Sequence, residues 1–207
     1  EASTLRPWRG AFVFNEADSA VTVQVPPLEA DTAGTTAGTR LAKSAASTDG
    51  YRLQATAVHH QNGRSLKDRA TWVGFDEAAQ ASFGPKDRAK PPAVGPHVRL
   101  HVTPEEGPAL ARSLKPPTTE GAAWDLRVGL NLDEPIRSPK EVTIVLNEQG
   151  PRPDGFKRYV VDRDRQRRLS LAHQSVTVQL TTDRPTCRLR VIVGTEAFAR
   201  DNDAGAS

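Results

Sequence analysis

The stretch Trp124-Asp125-Leu126-Arg127-Val128-Gly129-Leu130 is the clearest guide to the fold of this chain. Every second position is apolar, and the positions between them carry a charge or no side chain. Successive side chains of a β-strand point to opposite faces of a sheet. The alternation therefore predicts a strand with one face in a core and the other in water.

Further segments of this kind follow through the second half of the chain, with turn residues between them. The predicted strands are Ala123–Asn131, Glu141–Asn147, Phe156–Asp162, Arg167–Leu171, Ser175–Thr181 and Thr186–Gly194. Their spacing is typical of an immunoglobulin-like sandwich. We therefore predict an Ig-like β-sandwich domain over residues 118–198 and a polar tail over residues 199–207.

The first half of the chain also predicts strands, at 11–15, 20–25, 51–60, 69–75 and 97–103. Residues 28–49 are mostly Ala, Thr, Gly and Ser, a composition that predicts a long loop. One helical turn is expected at Asp76–Ser82, with Asp76 as its N-cap. The pair Pro116-Pro117 marks the predicted end of an N-terminal β-sandwich domain, residues 1–117. The expected fold is all-β, with two antiparallel sandwich domains of jelly-roll or Ig-like type.

Composition argues against two classes of function. The chain has 207 residues and a formal net charge of +3, whereas a nucleic-acid-binding domain usually carries a broad basic face. No segment approaches the roughly 18 apolar residues of a membrane-spanning helix. The chain begins at Glu1 and contains no Met, so we expect a processed piece of a longer polypeptide.

Several short motifs occur in an order that is similar to a region of bacterial secreted multidomain proteins. The motifs are Pro7-Trp8-Arg9-Gly10-Ala11-Phe12-Val13, Val73-Gly74-Phe75-Asp76 followed by Lys90-Pro91-Pro92, Ala123–Val128, Pro153–Asp162 and Leu189–Gly194. Together they resemble the part of such proteins that precedes a C-terminal flagellar-hook-capping-like or sorting-type Ig domain. The resemblance implies a non-catalytic β-sandwich module, secreted or on the cell surface, and it brings no catalytic residues with it.

The strongest local charge lies in Lys157–Arg168, which contains six basic and two acidic residues. Within it, Arg163, Arg165, Arg167 and Arg168 form a candidate interaction site for phosphate, a sulfated glycan or an acidic protein surface. A solvated hairpin tip is the alternative interpretation, because edge strands often carry charges that block aggregation.

Aromatic residues offer a second candidate surface. Trp124 is in phase with the core face of its strand, so Trp72 and Tyr51 are the expected exposed aromatics if a glycan site exists. An exposed aromatic pair of this kind is the basis for the alternative function, a carbohydrate-binding accessory domain of a secreted enzyme.

Metal binding and nucleophilic chemistry have weak support in the sequence. The single cysteine, Cys187, alternates in phase with Leu189 and is predicted to be a buried small hydrophobic residue. His97 and His101 share a face but lie roughly 13 Å apart along a strand, too far to hold one metal ion. Asp162 and Asp164, and the tail residues Asp201-Asn202-Asp203, have the look of a calcium loop, so we expect no cofactor other than weakly bound calcium.

No nucleophile elbow, P-loop, GxGxxG or HExxH motif is present in the sequence. We therefore predict a non-enzymatic structural or interaction module, extracellular or on the cell surface. Its expected partners are neighbouring domains or protein subunits, including copies of itself, with a glycan as the alternative and no nucleic acid.

Overall fold

The computed structural model describes residues 50–61, 63–132, 134–171 and 174–203, all within a compact unit that spans Ser44–Ser207. In these ranges the strands are β1 (Arg52–Gln61), β2 (Arg64–Phe75), β3 (Arg88–Ala89), β4 (His97–Val102), β5 (Leu110–Lys115), β6 (Gly121–Asn131), β7 (Lys140–Gln149), β8 (Lys157–Asp162), β9 (Arg167–Leu169), β10 (Ser175–Leu180) and β11 (Thr186–Gly194), and the helix is α1 (Glu196–Asn202). The strands predicted from residue 51 onward are confirmed within a few residues at their ends, except that β3 and β5 were not predicted. The strands and the long loop expected before residue 50 lie outside the described residues.

The eleven described strands form one mixed sheet. Its order is β10-β7-β1-β2-β5-β4-β6-β11-β8-β9, with β3 added beside β5. Every pairing is antiparallel except that of β2 with β5. The all-β class is confirmed, whereas two separate antiparallel sandwiches are not.

The core is one continuous cluster that draws on strands from both ends of this order. Leu53 on β1, Ile144 on β7, Trp124 on β6 and Leu189 on β11 are each at most 2% exposed and belong to the same cluster. Because strands far apart in the sheet order share one core, the sheet folds over onto itself. Each buried Leu or Ile contributes about 1.5–3 kcal/mol through removal of apolar surface from water.

Residues on the two sides of Pro117 are interleaved in this arrangement. Strand β4 pairs with β6, and β1 pairs with β7. The described strands on the two sides of residue 117 share one main core. A domain division at residues 117/118 stays a prediction.

Two local predictions are corrected. Asp76 starts a hydrogen-bonded turn, in which Ala79 N–H donates to the Asp76 carbonyl at 2.9 Å, but no helix follows. The expected polar tail instead begins with α1, whose N-cap Thr195 accepts a hydrogen bond from Phe198 N–H at 3.2 Å. Buried Ala199 of this helix packs in a second, small cluster with Ile192.

One close approach between strands depends on glycine. Gly121 of β6 has φ +141°, and a Cβ atom placed on it meets the Cα atom of Gly194 at 2.4 Å. Gly121 and Gly194 are register partners, so the start of β6 and the end of β11 lie together without side chains. Among the described residues, no helix is long and apolar enough to cross a membrane.

Candidate anion-binding face

The outward side chains of β4, β6 and β11 form a strongly charged surface. On β4 the residues Val98, Leu100 and Val102 are buried, so His97, Arg99 and His101 point away from the core. By the same alternation, Arg127 on β6 points outward and is exposed. We call Arg99, His101 and Arg127 the basic face.

The register of β4 and β6 brings these three side chains together. His101 is directly opposite Arg127, and Arg99 is directly opposite Gly129. Directly opposite Cβ atoms lie about 4.5–5.5 Å apart, and diagonal neighbours such as Arg99 and Arg127 about 7–8 Å apart. Gly129 has no side chain, and Thr186 of β11 lies over it, with its Cγ2 atom 3.2 Å from where a Cβ atom of Gly129 would stand.

Most cations around the basic face have a carboxylate partner. Lys90 pairs with Asp68 at 2.7 Å, Arg188 with Asp164 at 2.7 Å, Arg190 with Asp125 at 2.7 Å, and Arg168 with Asp203. By contrast, neither Arg99 nor Arg127 makes a hydrogen bond or an ion pair with any described residue. The Nε atom of Arg99 is buried and has no hydrogen-bond partner in the described ranges. Within this part of the chain, the face therefore carries two guanidinium groups without counter-charges.

His101 experiences this excess of positive charge. Burial, followed by the charges of Arg99, Arg127 and Lys90, lowers the pKa of His101 from 6.5 to about 4, against the opposing effect of Asp68. Its Nδ1 atom is buried and has no hydrogen-bond partner in the described part of the chain. At neutral pH the imidazole is thus uncharged, and Nε2 is the ring nitrogen left for a ligand.

A buried polar cluster lies beside β4, the strand that carries Arg99 and His101. The Oδ2 atom of Asp68 accepts a hydrogen bond from Leu100 N–H at 2.8 Å, and Thr71 Oγ1 donates to the Leu100 carbonyl at 2.6 Å. Lys90 Nζ donates to both Asp68 Oδ1 and Thr71 Oγ1, at 2.7 and 3.1 Å. Side chains of β2 thereby supply hydrogen-bond partners for the backbone N–H and carbonyl of Leu100, the residue between Arg99 and His101. These bonds hold β4 in place.

Burial is also the main reason why the pKa of the Lys90 amine is lowered. The hydrogen bond and the charge of Asp68 oppose this shift in pKa. A buried ammonium group needs this carboxylate, because an unpaired buried charge is costly.

The arginine run predicted as an interaction site is mostly neutralised in the structure. Arg163 lies 4.0 Å from Asp125, and Arg165 lies 3.7 Å from Asp162. Arg168 pairs with Asp203 and also lies over the Tyr159 ring, at 4.8 Å from its centroid. Among the described residues, Arg167 alone of the four has neither a hydrogen-bond nor an ion-pair partner, and it is exposed.

The aromatic pair is not formed as expected. Trp72 on β2 is half-buried, but Tyr51 is only 2% exposed, so its predicted exposure is wrong. The Tyr51 hydroxyl donates to Glu148 Oε1 at 2.7 Å, and the ring contacts Phe75 in the core. Burial and the neighbouring carboxylate of Glu148 raise the pKa of this phenol.

Three candidate metal ligands, Asp162, Asp164 and Cys187, place their ligand atoms within 4.8 Å of one another. Asp162 Oδ1 already accepts hydrogen bonds from the N–H groups of Asp164 and Arg165, each at 3.0 Å, which shape the β8–β9 turn. A thiolate is a soft ligand that Ca²⁺ does not favour, so the group does not suit calcium as a set. Calcium binding elsewhere stays a prediction.

The sequence predictions for Cys187 and Trp124 agree with the structure. Cys187 is fully buried, as expected, and burial followed by the charge of Asp162 raises the pKa of its thiol to about 12. Trp124 is 2% exposed and lies in the core. His59 is buried and His60 exposed, on opposite faces of β1.

A cavity of about 820 Å³ opens beside β5 and the start of β6. Its polar side chains are largely engaged with the protein: Lys115 Nζ donates to the Ala123 carbonyl at 2.7 Å, and Arg190 binds both carboxylate oxygens of Asp125 at 2.8 and 2.7 Å. Lys115 also lies over the Trp124 ring, at 5.7 Å from its centroid. The polar groups of this cavity thus serve mainly to join neighbouring segments.

Sequence reasoning missed Arg99 and Arg127. Each is a single arginine inside an alternating strand, and neither belongs to a charge run. The alternation of apolar and polar residues does place both arginines on the outward face of their strands. It does not show that β4 pairs with β6.

Comparison with known proteins finds no matching family model, no matching curated protein and no matching solved structure.

Proposed function

We propose that this chain is a non-catalytic interaction module of a secreted or cell-surface protein, and that its basic face contacts an acidic surface of a neighbouring domain or subunit. The observation that carries the proposal is the absence of a counter-charge for Arg99 and Arg127 among the described residues, although the cations around them are paired. Complementary charges at an interface direct binding and select partners.

Two further features support a binding role over a catalytic one. The basic face is built on paired strands, which hold side chains more rigidly than loops do. The cavity beside β5 uses Lys115 and the Asp125–Arg190 pair for internal contacts. The extracellular location rests on the resemblance to secreted multidomain proteins, which also favours a sandwich description of the folded-over sheet.

A polyanion-binding assay tests the proposal with poly-L-glutamate as the probe of carboxylate surfaces. We expect the wild-type chain to bind at low salt and to lose affinity as the salt concentration approaches about 0.15 M, where surface charges are screened beyond about 8 Å. The double variant Arg99→Ala/Arg127→Ala should lose roughly tenfold in affinity, because two exposed ion pairs contribute together about 1.4 kcal/mol.

Arg167→Ala is the matched control. It removes an arginine from the β8–β9 hairpin that is exposed, as Arg127 is, and has no partner among the described residues. It should leave the affinity unchanged. A loss in this variant equal to that of the double variant assigns binding to the arginine run and contradicts the proposal. An absence of binding by the wild-type chain at low salt also contradicts it.

The alternative function, a carbohydrate-binding accessory domain, has less support. With Tyr51 buried in the core, the predicted aromatic pair is reduced to the half-buried Trp72. Retention of the chain on an insoluble polysaccharide, lost in Trp72→Ala, is the result that would favour this alternative.

A further inference from the structure

The three side chains of the basic face have a geometry suited to one ligand group. Arg99 and His101 are two residues apart on β4 and so lie about 7 Å apart on the same side of the strand. Arg127 stands directly opposite His101 on β6. Both guanidinium side chains are long enough to reach a group held over His101, because His101 is the neighbour of Arg99 on β4 and of Arg127 across the strand pair.

The surroundings indicate the chemical class of that group. Lys90, Arg168, Arg188 and Arg190, the paired cations around the face, each bind a carboxylate of this chain. Guanidinium groups bind carboxylates through two parallel hydrogen bonds, as Arg190 does with Asp125. The missing partner of Arg99 and Arg127 is therefore most simply a carboxylate from outside this part of the chain.

We propose that Arg99, Arg127 and His101 together hold one carboxylate of an acidic protein partner, and that the His101 imidazole takes up a proton as this carboxylate binds. The inference rests on the proposed function, because it names the group that the basic face recognises. In the complex, the two guanidinium groups bind the carboxylate oxygens and His101 Nε2–H donates a third hydrogen bond.

The proton uptake follows from the charges that face His101. These are Arg99 on its own strand, Arg127 on β6, Lys90 next to β3, and the single opposing charge of Asp68 on β2. Without a ligand, burial and then these positive charges keep the imidazole neutral. A bound carboxylate adds a negative charge at close range, which raises a histidine pKa by about 1–3 units. The group then protonates at a pH where the free protein does not.

The experiment follows the His101 ring by NMR during a pH titration, with and without a saturating short all-glutamate peptide. The variant His101→Gln identifies the resonance. At pH near 5.5 the glutamate side chains remain mostly ionised, since their ordinary pKa is about 4.3. We expect a neutral ring in the free protein, a mostly protonated ring in the complex, and a titration midpoint higher by about two units with the peptide bound.

Affinity gives an independent measurement of the same event. For a rise of about two units in pKa, the wild-type chain should bind the peptide about fourfold more tightly at pH 5.5 than at pH 8. His101→Gln should show no such gain. The gain should also disappear in Arg99→Ala/Arg127→Ala, where the peptide no longer approaches the ring.

The outcomes separate this inference from the function on which it rests. If the peptide fails to bind at low salt, both are wrong. If it binds through Arg99 and Arg127 while the His101 midpoint stays near its free value, the interaction face stands and the proton-linked site is overturned. If inorganic sulfate moves the midpoint at a lower concentration of anion than the peptide carboxylates do, the assignment to a carboxylate is overturned.

Discussion

The Nζ atom of Lys90 lies 2.7 Å from the Oδ1 atom of Asp68, and the two side chains are only 6% and 10% exposed. This ion pair lies beside β4, and the second oxygen of Asp68 accepts a hydrogen bond from Leu100 N–H in that strand. One carboxylate therefore neutralises a buried ammonium group and positions the strand that carries Arg99 and His101.

Removal of this carboxylate should strongly destabilise the fold. In Asp68→Ala, Lys90 becomes a buried charge without a partner and Leu100 N–H loses its acceptor, so we expect the free energy of unfolding to fall by about 3–5 kcal/mol. Urea denaturation measures the change. The control is Glu196→Ala, which breaks the exposed pair with Lys157 and should leave stability unchanged within error. Equal losses in both variants would contradict the assigned role of Asp68.

The state of His101 should make stability depend on pH. Its pKa is about 4 in the folded chain, below the ordinary value of 6.5, so between these values the unfolded chain binds more protons. Stability should therefore fall as the pH drops from 6.5 towards 4. His101→Gln should flatten this part of a plot of melting temperature against pH. If His101→Gln shows the same slope of melting temperature against pH as the wild-type chain, groups other than His101 cause the pH dependence.

The thiol of Cys187 should be inert in the native state. It is fully buried, and its pKa of about 12 leaves almost no thiolate at neutral pH. Because the thiolate is the reactive form, a thiol reagent at pH 8 should react only as fast as the chain opens. The same chain in concentrated urea should react completely within the mixing time of a manual assay. Fast labelling of the folded chain would place Cys187 nearer the surface than described.

The contact between Gly121 and Gly194 gives a test of the β6–β11 register. Gly121→Ala should destabilise by about 1–3 kcal/mol, because its Cβ atom meets the Cα atom of Gly194 at 2.4 Å in a backbone conformation that disfavours side chains. Gly63→Ala is the control, with φ +73° but no atom within 4 Å, so it reports the backbone cost alone. If urea denaturation shows a smaller loss of stability for Gly121→Ala than for Gly63→Ala, the close approach of Gly121 and Gly194 is not present.

Strand positions were largely predictable, and their partners were not. The alternation of Leu189 with Arg188 is enough to assign β11 and to bury Cys187, and the same alternation within β6 places Trp124 in the core. The same reasoning divided the chain at Pro117, because prolines interrupt a strand locally. It could not show that β1 pairs with β7 across that point, since such pairing depends on contacts between segments distant in sequence.

The candidate site was predictable only in part. A run of arginines is visible in the sequence, and Arg167 does remain exposed and unpaired among the described residues. However, Arg163, Arg165 and Arg168 find carboxylates on other segments, which no local pattern reveals. Tyr51 was misjudged for a related reason: its ring faces Phe75, and its hydroxyl is satisfied by Glu148 from β7.

The sequence by itself determined which residues of each strand face the core, because a strand repeats every two residues and that period is a local property. It thereby placed Arg99, His101 and Arg127 on outward positions. Only the tertiary structure decided that these three lie side by side and that two of them lack a counter-charge within the part of the chain that the structure describes. The physical reason is that an ion pair depends on distance through space, and the strands of this sheet bring together charges that are far apart along the chain.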